Sequence, residues 1–288
     1  MNSAQLQAIL RDKLEKMPNK ARRVVEYLLS NTREAAFLSI GEVAEKLDVS
    51  KAQLVRVSRM VGFEGYAHLK ETLQNTVLEH VNPTAMLSRI MKDRRDLPEE
   101  ILRMEHANLE DTWNQLKPPN IVKFCEMVRG AGMVYCMGWG ISSLVAESLY
   151  TRLIEMGIGS SLMKRGSSAL IEQARTVRKG DLVVVCELPS YVIEVTESIE
   201  RASANGASIV TITDSAAAPV CRFANLSFFV SETTPTFGSS IIGPLFLVHI
   251  LTSVLCVNLG EEVQAALQDQ EMGLYDERIY HPAYGLRY

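Results

Sequence analysis

Apolar residues recur at helical spacing through the first 75 positions and return in short β-branched runs from about residue 120 onwards. Between residues 21 and 29 the apolar positions are 21, 24, 25, 28 and 29, which predicts a helix with one buried face. A second amphipathic helix is predicted over Ser39 to Leu47, with Ser39 as its N-cap and Glu42 completing a capping box. The chain therefore begins with an all-α unit, and we expect a three-helix core to be complete by about residue 75.

A tight turn over residues 48–50 leads into a further helix, predicted over Lys51 to Met60. The hydroxyl of Ser50 can accept a hydrogen bond from the first free amides of this helix. Two faces are expected on it. The inward face is predicted to hold Ala52, Val55 and Met60, and the outward face Lys51, Gln53, Arg56 and Arg59.

Two short helices joined by a tight turn, with basic and amide side chains on the second, are typical of a helix-turn-helix that binds DNA. The N-terminal residues of the second helix then meet base edges, so Lys51 and Gln53 are candidates for base contacts. Arg56 and Arg59 suit either bases or phosphates. The alternative is an ordinary two-helix corner with a solvated basic face.

The segment after this helix, over residues 62–66, places two aromatic residues among glycines. It either forms a wing or turn near the DNA backbone or packs onto the helices. The full set of predicted DNA-binding residues is Ser39, Ser50, Lys51, Gln53, Arg56, Arg59 and Tyr66.

Charge supports this interpretation weakly. Residues 1–80 hold twelve Lys or Arg and ten Asp or Glu, so they carry +2, and the rest of the chain carries −6 of the total of −4. This difference in net charge suits a DNA-binding N-terminal domain, called the head below, joined to an acidic second domain. A head of +2 neutralises few phosphates, so tight binding needs at least two heads in a homodimer or homotetramer.

The five cysteines show neither a CxxC pair nor a metal-ligand spacing with histidine. Their use fits a reduced cytoplasmic compartment, and no metal or cofactor is predicted. The N-terminus lacks the apolar core of a signal peptide. The segment from Thr233 to Gly260 has no charged residue and is long enough for a membrane helix, but Gly243-Pro244 and several polar residues interrupt it. We expect a core or subunit-interface helix starting near Ile241, and no membrane span.

Residues 80–98 mix two prolines with a charge cluster, as a linker does, and a continuous helix is predicted over Glu99 to Leu116. Near-continuous apolar strands separated by helices then predict a parallel sheet covered on both faces, with ligand expected beyond the carboxyl ends of its strands. The four predicted strands are Met133 to Met137, Leu182 to Cys186, Ser208 to Ile212 and Leu226 to Val230.

The loop after the first strand, Gly138-Trp139-Gly140-Ile141-Ser142-Ser143, precedes a helix predicted over Leu144 to Met156. Glycines let the backbone approach a ligand closely, and serines at a helix start add hydroxyls to its free amides. The pattern is weak by itself, because position 143 is Ser where a GxGxxG nucleotide fingerprint needs Gly or Ala.

Together these segments resemble the RpiR family of bacterial transcription regulators, which join an N-terminal helix-turn-helix to a sugar isomerase (SIS) domain. The resemblance covers nearly the whole chain: residues 38–66 resemble the family head, and residues 134–157 the first strand, loop and helix of the SIS domain. Residues 179–181 and 205–214 match as well. The resemblance implies a repressor or activator that binds double-stranded operator DNA as an oligomer under the control of a small metabolite. Most characterised members sense phosphorylated sugars or related metabolites.

On this basis we divide the chain into a helix-turn-helix domain over 1–78, a linker and connecting helix over 79–118, an SIS domain over 119–272 and a C-terminal tail over 273–288. The expected fold class is an all-α head followed by an α/β SIS domain. The predicted effector-binding residues are Gly138, Gly140, Ser142, Ser143, Glu187 and Ser190.

The sequence departs from the family after the strand that ends near residue 186. SIS domains that bind sugar phosphates usually carry a Ser-x-Ser-Gly-x-Thr loop there, whereas this chain reads Glu187-Leu188-Pro189-Ser190-Tyr191-Val192. A carboxylate repels phosphate in a poorly solvated pocket, and Pro189 removes an amide donor. We therefore do not expect a sugar phosphate bound in the usual manner.

Two explanations for this departure stay open. Either the pocket is retuned, with Glu187 accepting hydrogen bonds from hydroxyls or an ammonium group of a different sugar, sugar acid or related metabolite, or it is degenerate and the domain is a dimerisation scaffold. Glu187 also has a simpler interpretation as a strand-end residue that points to solvent.

A second class of function is a sugar isomerase or lyase of the SIS fold, for which a general base is required. The candidates are Glu187, Glu194 and His249, although His249 is expected to be a hydrogen-bonded core residue and His281 a surface or interface residue. Loss of the phosphate loop weakens catalysis more than sensing, because an isomerase needs its substrate fixed. We predict a regulator and not an enzyme.

Overall fold

The structure is a computed structural model that describes residues 17–81 and 96–276, together with Leu6, Ile9, Leu10, Leu14 and Leu87. It divides into two compact units, the first mainly residues up to Leu102 and the second mainly residues from Arg103 onwards. Most of the predicted linker, and His281 in the C-terminal tail, lie outside the described residues. The expected fold class, a helix-turn-helix head followed by an α/β SIS-type domain, is confirmed.

The first unit is helical. Its described helices are α1 (Asn19–Ser30), α2 (Thr32–Phe37), α3 (Ile40–Lys46), α4 (Lys51–Met60) and α5 (Tyr66–Val81). The predicted buried face of the first of these helices is confirmed, since Val24, Val25 and Leu28 are almost fully buried. The core is larger than the three helices expected, because α2 and α5 pack against one another and complete it.

The predicted inward face of α4 is wrong. Ala52 and Met60 are exposed and Val55 is only partly buried, whereas the buried side chains of the helix are Leu54, Val57 and Ser58. The error is a rotation of the apolar face, because Leu54 and Val57 lie three residues apart on the stripe that continues to Val61 in the core. The predicted outward positions are unaffected by this correction.

The second unit is an α/β layer structure. Its helices are α6 (Leu97–Gln115), α7 (Pro118–Arg129), α8 (Ser142–Glu155), α9 (Leu170–Gln173), α10 (Ile193–Ala204), α11 (Ile242–Leu259) and α12 (Glu261–Asp276). Its strands are β1 (Val134–Gly138), β2 (Ser160–Met163), β3 (Leu182–Glu187), β4 (Ser208–Thr213) and β5 (Leu226–Phe229).

All five strands are parallel, in the order β2-β1-β3-β4-β5. The register places Val134 opposite Leu182, and Glu187 opposite Thr213. Helices cover both faces, so β3 is buried along its whole length, as its unbroken apolar run predicts. The edge strand β2 is a strand that the sequence pattern missed, because two serines begin it and it has only four residues.

The uncharged segment near the C-terminus forms α11, as expected. Seven of its residues lie in the core, among them Leu247, Leu251 and Leu255. By length and composition α11 is the one helix among the described residues that is apolar enough to cross a membrane, a test that core helices of soluble proteins also pass. His249 was expected in the core and is instead exposed on this helix.

Candidate functional site

Two capped helix starts fix the geometry of the helix-turn-helix. Ser39 Oγ accepts a hydrogen bond from the amide of Glu42 at 3.2 Å, and Glu42 Oε2 accepts one from the Ser39 amide at 2.7 Å, which is the predicted capping box. Ser50 Oγ accepts a hydrogen bond from the Gln53 amide at 3.1 Å, as predicted for the cap of α4. Asp48 adopts a φ of +50° in the turn between the two helices. Both serines therefore set the orientation of α3 and α4.

The outer face of α4 carries the predicted polar residues. Lys51, Arg56 and Arg59 are exposed and Gln53 is partly buried. The Nε of Arg59 donates a hydrogen bond to the carbonyl oxygen of Glu64 at 3.0 Å, so this side chain also braces the turn that follows α4. The face presents three cations and one amide on a helix whose opposite side is anchored in the core.

Tyr66 was predicted to contact DNA, but it is buried. Its side chain is 5% exposed, it belongs to the core of the first unit, and burial raises its pKa to about 12. Phe63 is buried as well, so the turn over residues 62–66 uses its aromatic rings for packing, the second of the two expectations for this segment. Tyr66 therefore packs in the core beneath the helices and is not available as a direct contact in the free protein.

The second candidate site lies at the carboxyl edge of the sheet. The chain leaves β1 towards β2 on one side of the sheet and leaves β3 towards β4 on the other. The loops after β1 and β3 therefore diverge and open a crevice. In parallel α/β sheets this switch in strand order is where ligands bind. The chain places Gly138 to Ser143 on one side of the crevice and Glu187 to Val192 on the other.

The loop after β1 is tightly folded. A Cβ at Gly138 would lie 2.6 Å from the carbonyl oxygen of Ser142, so glycine is required for this close approach, and Gly140 has a φ of +55°. The Oγ of Ser143 donates to the Gly140 carbonyl at 2.7 Å. Gly138, Gly140 and Ser143 therefore shape the loop. None of them lines the cavity that lies in the crevice.

A cavity of about 90 Å³ occupies the crevice. Three of the six predicted effector-binding residues line it, namely Ser142, Glu187 and Ser190. The prediction did not include the remaining lining residues, most of them apolar, because only the folded loops bring them together. They are Trp139, Ile141, Cys186, Leu188, Pro189, Val192 and Val195.

Glu187 is buried in this cavity wall, with 3% of its surface exposed, so the solvent-facing interpretation is wrong. Its Oε1 accepts a hydrogen bond from the Val192 amide at 3.0 Å, and its buried Oε2 has no hydrogen-bond partner among the described residues. Burial raises the pKa of Glu187 to about 7; the Val192 amide opposes this rise and the nearby Asp214 adds to it. The carboxyl group is thus poised to change its charge near neutral pH.

The other candidates for a general base lie elsewhere. Glu194 accepts hydrogen bonds from the Leu170 amide at 2.9 Å and from Arg165 at 3.3 Å, which hold it at the start of α9. His249, on the exposed side of α11, does not line the cavity. No group of three potential metal ligands occurs among the described residues.

A polar cluster with two buried side chains of α6, Asn108 and Thr112, joins this helix to the segment that follows β5. Asn108 Nδ2 donates to the Thr233 carbonyl at 2.7 Å and to Glu105 at 3.0 Å, and its Oδ1 accepts from Ser231 Oγ at 2.9 Å and from the Thr233 amide at 3.0 Å. Thr112 Oγ1 accepts from the Ser231 amide at 3.0 Å. We call this set of residues the α6 clamp. It ties the connecting helix to the chain just beyond the carboxyl end of β5.

Family models match both units. A helix-turn-helix domain of the rpiR family matches residues 4–79, and an SIS domain matches residues 127–254. The chain belongs to the RpiR family of transcriptional regulators. It is therefore a helix-turn-helix DNA-binding regulator that carries an SIS domain for control by a small metabolite, and this identification fits the two candidate sites better than an SIS-fold enzyme does.

Named relatives agree with the family. The transcriptional regulator RpiR of Escherichia coli K12 is 25% identical over 259 residues, which cover 87% of this chain and 84% of that protein. The NanR protein of Vibrio vulnificus, solved in complex with ManNAc-6P, is 22% identical and superposes with a TM-score of 0.60 over 94% of this chain and 98% of its own. The sugar isomerase domain of an RpiR transcription factor from Sphaerobacter thermophilus is 25% identical, with a TM-score of 0.59 over 62% of this chain and 99% of that domain.

Proposed function

We propose that α4 of this RpiR-family regulator reads double-stranded operator DNA. Lys51 and Gln53, in its first turn, contact base edges, and Arg56 and Arg59 contact phosphates or bases. The exposed cations on a helix held by Ser50 and by a buried apolar face support this assignment. Ser39 and Ser50 act in it by fixing α3 and α4, and Tyr66 by packing beneath them.

Operator binding in this account uses at least two heads, in a homodimer or homotetramer. Residues 1–80 carry only +2, and counterion release by one such head supports weak binding at physiological salt. Two heads on two half-sites multiply the affinity. The protein works in the cytoplasm, where operator DNA and a reduced state of its five free cysteines coincide.

The cavity between the loops after β1 and β3 binds the effector, a small metabolite of carbohydrate or central metabolism. The observation that carries this proposal is the buried, unpartnered Oε2 of Glu187 at the switch point of the sheet. A degenerate pocket that served only as a scaffold would gain stability by replacing such a carboxyl group with an apolar side chain. Ser142 and Ser190 provide hydroxyl groups in the same cavity.

The SIS domain acts in this account as a sensor without catalysis. Two other side chains were candidates for an acid or base, the carboxyl group of Glu194 and the imidazole of His249. Neither lines the cavity. A single carboxyl group without an anchored substrate gives little rate enhancement.

The α6 clamp carries the effector signal towards the heads. Asn108 holds the connecting helix to the chain beyond β5, at the same edge of the sheet as the cavity. An effector that binds one arrangement of this edge more tightly shifts the population of that arrangement, and α6 then changes the spacing of two heads.

The decisive experiment is selection of genomic DNA fragments by the purified full-length protein at two salt concentrations. Recovery of a common, two-fold symmetric motif at both salts is the expected result. Binding without a shared motif, or no binding, contradicts the proposal and favours the enzyme or scaffold. The Arg56→Ala variant is run in parallel, and we expect it to recover fewer fragments.

A further inference from the structure

The loops around the cavity have few free donors for an anion. In the loop after β3, the Leu188 amide donates to Ser142 Oγ at 3.3 Å, the Val192 amide donates to Glu187, and Pro189 has no N–H. A phosphate group needs several such donors, as in the helix N-termini that bind it elsewhere.

The N-terminus of α8 also lacks free N–H donors for an anion in its first turn. The amides of Ser142, Ser143 and Leu144 donate to the carbonyl oxygens of residues 139, 140 and 141, at 3.1 Å each. These three N–H groups are the ones that a phosphate at this helix end would use. The amides of Leu188 and Val192 and those of the first turn of α8 are therefore all used in internal hydrogen bonds.

The charge in the cavity also disfavours an anion. Glu187 is the acidic residue of the lining, and no Lys, Arg or His is among the residues that line it. The titratable groups close to Glu187 are Asp214, which follows β4 and is a like charge, and the thiols of Cys186 and Cys221. Burial raises the pKa of both thiols, that of Cys186 to about 12, so both are neutral. An anion here meets one or two negative charges without a compensating cation.

These observations fit a cationic ligand group. An ammonium group supplies both the missing hydrogen bond and the missing opposite charge for Glu187 Oε2. No group of three potential metal ligands adjoins Glu187 in the part of the chain that the structure describes. Trp139, at the rim of the same cavity, adds an aromatic face that attracts cations.

We propose that the effector of this regulator carries an ammonium group that binds Glu187 in the cavity between β1 and β3, with apolar parts against Ile141 and Val195. This inference rests on the proposed effector role of the cavity. The volume of about 90 Å³ suits a small terminal group, and the rest of the effector lies at the mouth beside the exposed Ser190.

The test uses Trp139 as a reporter. The chain has two tryptophans, and the other, Trp113, is 60% exposed on α6, so a Trp113→Phe variant of the full-length protein leaves Trp139 as the only indole fluorophore. Ethanolamine, ethylene glycol and inorganic phosphate are titrated at constant ionic strength. They are matched in small size and present an ammonium group with a hydroxyl, hydroxyls alone, and an anion.

We expect a saturable change of Trp139 fluorescence with ethanolamine and a much weaker one with glycol or phosphate. The affinity for ethanolamine should rise about tenfold from pH 6 to pH 8, because Glu187 loses its proton in this range. A Glu187→Gln change should weaken the binding by about tenfold or more, the scale of a charge-assisted hydrogen bond. The control Glu197→Gln removes the same charge from the exposed side of α10 and should leave the binding unchanged.

A response to phosphate or glycol equal to that of ethanolamine overturns the inference, as does the absence of any response to ethanolamine. Selection of operator DNA with the same protein separates this failure from that of the proposed function. A protein that binds operator and prefers phosphate is still an effector-controlled regulator with a different ligand class. A protein that binds ethanolamine through Glu187 and finds no operator keeps the cation site and loses the regulatory function.

Discussion

The outer face of α4 and the cavity at the sheet edge differ in exposure and in how far their polar groups are already hydrogen-bonded. On α4, three of the four side chains proposed to contact DNA are exposed cations, and the capping hydrogen bonds of α3 and α4 are in place. In the cavity the central side chain is a buried acid with one oxygen unpartnered among the described residues. The proposed DNA-binding surface is therefore formed in the free protein, whereas the carboxyl group in the proposed effector cavity would gain its missing interaction from a ligand. This difference suits the two proposed roles. The effector cavity has to favour one conformation when the metabolite binds, whereas the DNA-binding helix does not.

The largest expected effect comes from breaking the α6 clamp. Asn108→Ala removes the four hydrogen bonds of a buried amide side chain, and we expect the free energy of unfolding of the second unit to fall by about 3 kcal/mol. Urea unfolding followed by tryptophan fluorescence measures it, since Trp113 and Trp139 both belong to the second unit. Asn114→Ala, at an exposed position of the same helix, is the matched control and should change little. Equal decreases in the free energy of unfolding for the two variants would show that the hydrogen bonds of the α6 clamp do not stabilise the second unit.

A pH titration tests the state of Glu187. Its pKa is raised on folding, so the folded protein binds its proton more tightly than the unfolded chain does, and stability falls as pH rises from about 4.5 through about 7. The shift corresponds to about 3 kcal/mol between the two ends of this range. We expect the Glu187→Gln variant to lack this part of the pH dependence in urea unfolding at pH 5 and pH 8. Parallel curves for both proteins would indicate an ordinary, solvated carboxyl group.

The reading face is tested by Arg56→Ala. Loss of a phosphate or base contact should weaken operator binding by about 1–3 kcal/mol, and a lost phosphate contact should reduce the salt slope by about 0.9. Fluorescence anisotropy with labelled operator measures both quantities. Arg175→Ala removes an equal charge from an exposed position of the second unit and should leave both unchanged. Identical behaviour of the two variants would remove Arg56 from the interface.

The smallest effect is expected at the cap of α4. Ser50→Ala removes the acceptor for the Gln53 amide and should lower the stability of the first unit by about 1 kcal/mol. Thermal unfolding followed by circular dichroism checks it, with Ser50→Asp as the control that keeps an acceptor. A loss of the same size with Asp would attribute the effect to something other than the cap.

Local signals were enough to predict much of the first unit. The capping box at Ser39 and the cap at Ser50 depend on residues three positions apart, and the sequence shows such pairs directly. The face of α4 was predicted wrongly, because it depends on which side the other helices cover, and Leu54 rather than Ala52 packs there. Tyr66 follows the same rule, since its burial is set by neighbours distant in sequence.

The cavity was harder to predict. The resemblance pointed to the two loops, and the strands were found from their apolar runs, but β2 was missed because it starts with Ser160 and Ser161. That Glu187 is buried depends on how the loops after β1 and β3 close over it, a long-range packing effect with no local signal. The position of His249 on the exposed side of α11 depends in the same way on which side of that helix faces the sheet.

The central claim is that α4 reads base sequence, and Gln53→Ala tests it most directly. The measurement is the ratio of affinities for the selected operator and for a scrambled duplex of equal length, with Gln264→Ala on the exposed side of α12 as the control. We expect Gln53→Ala to lower this ratio by about tenfold while binding to the scrambled duplex is unchanged. A ratio equal to that of the unmodified protein would contradict it and assign sequence recognition to another part of the chain.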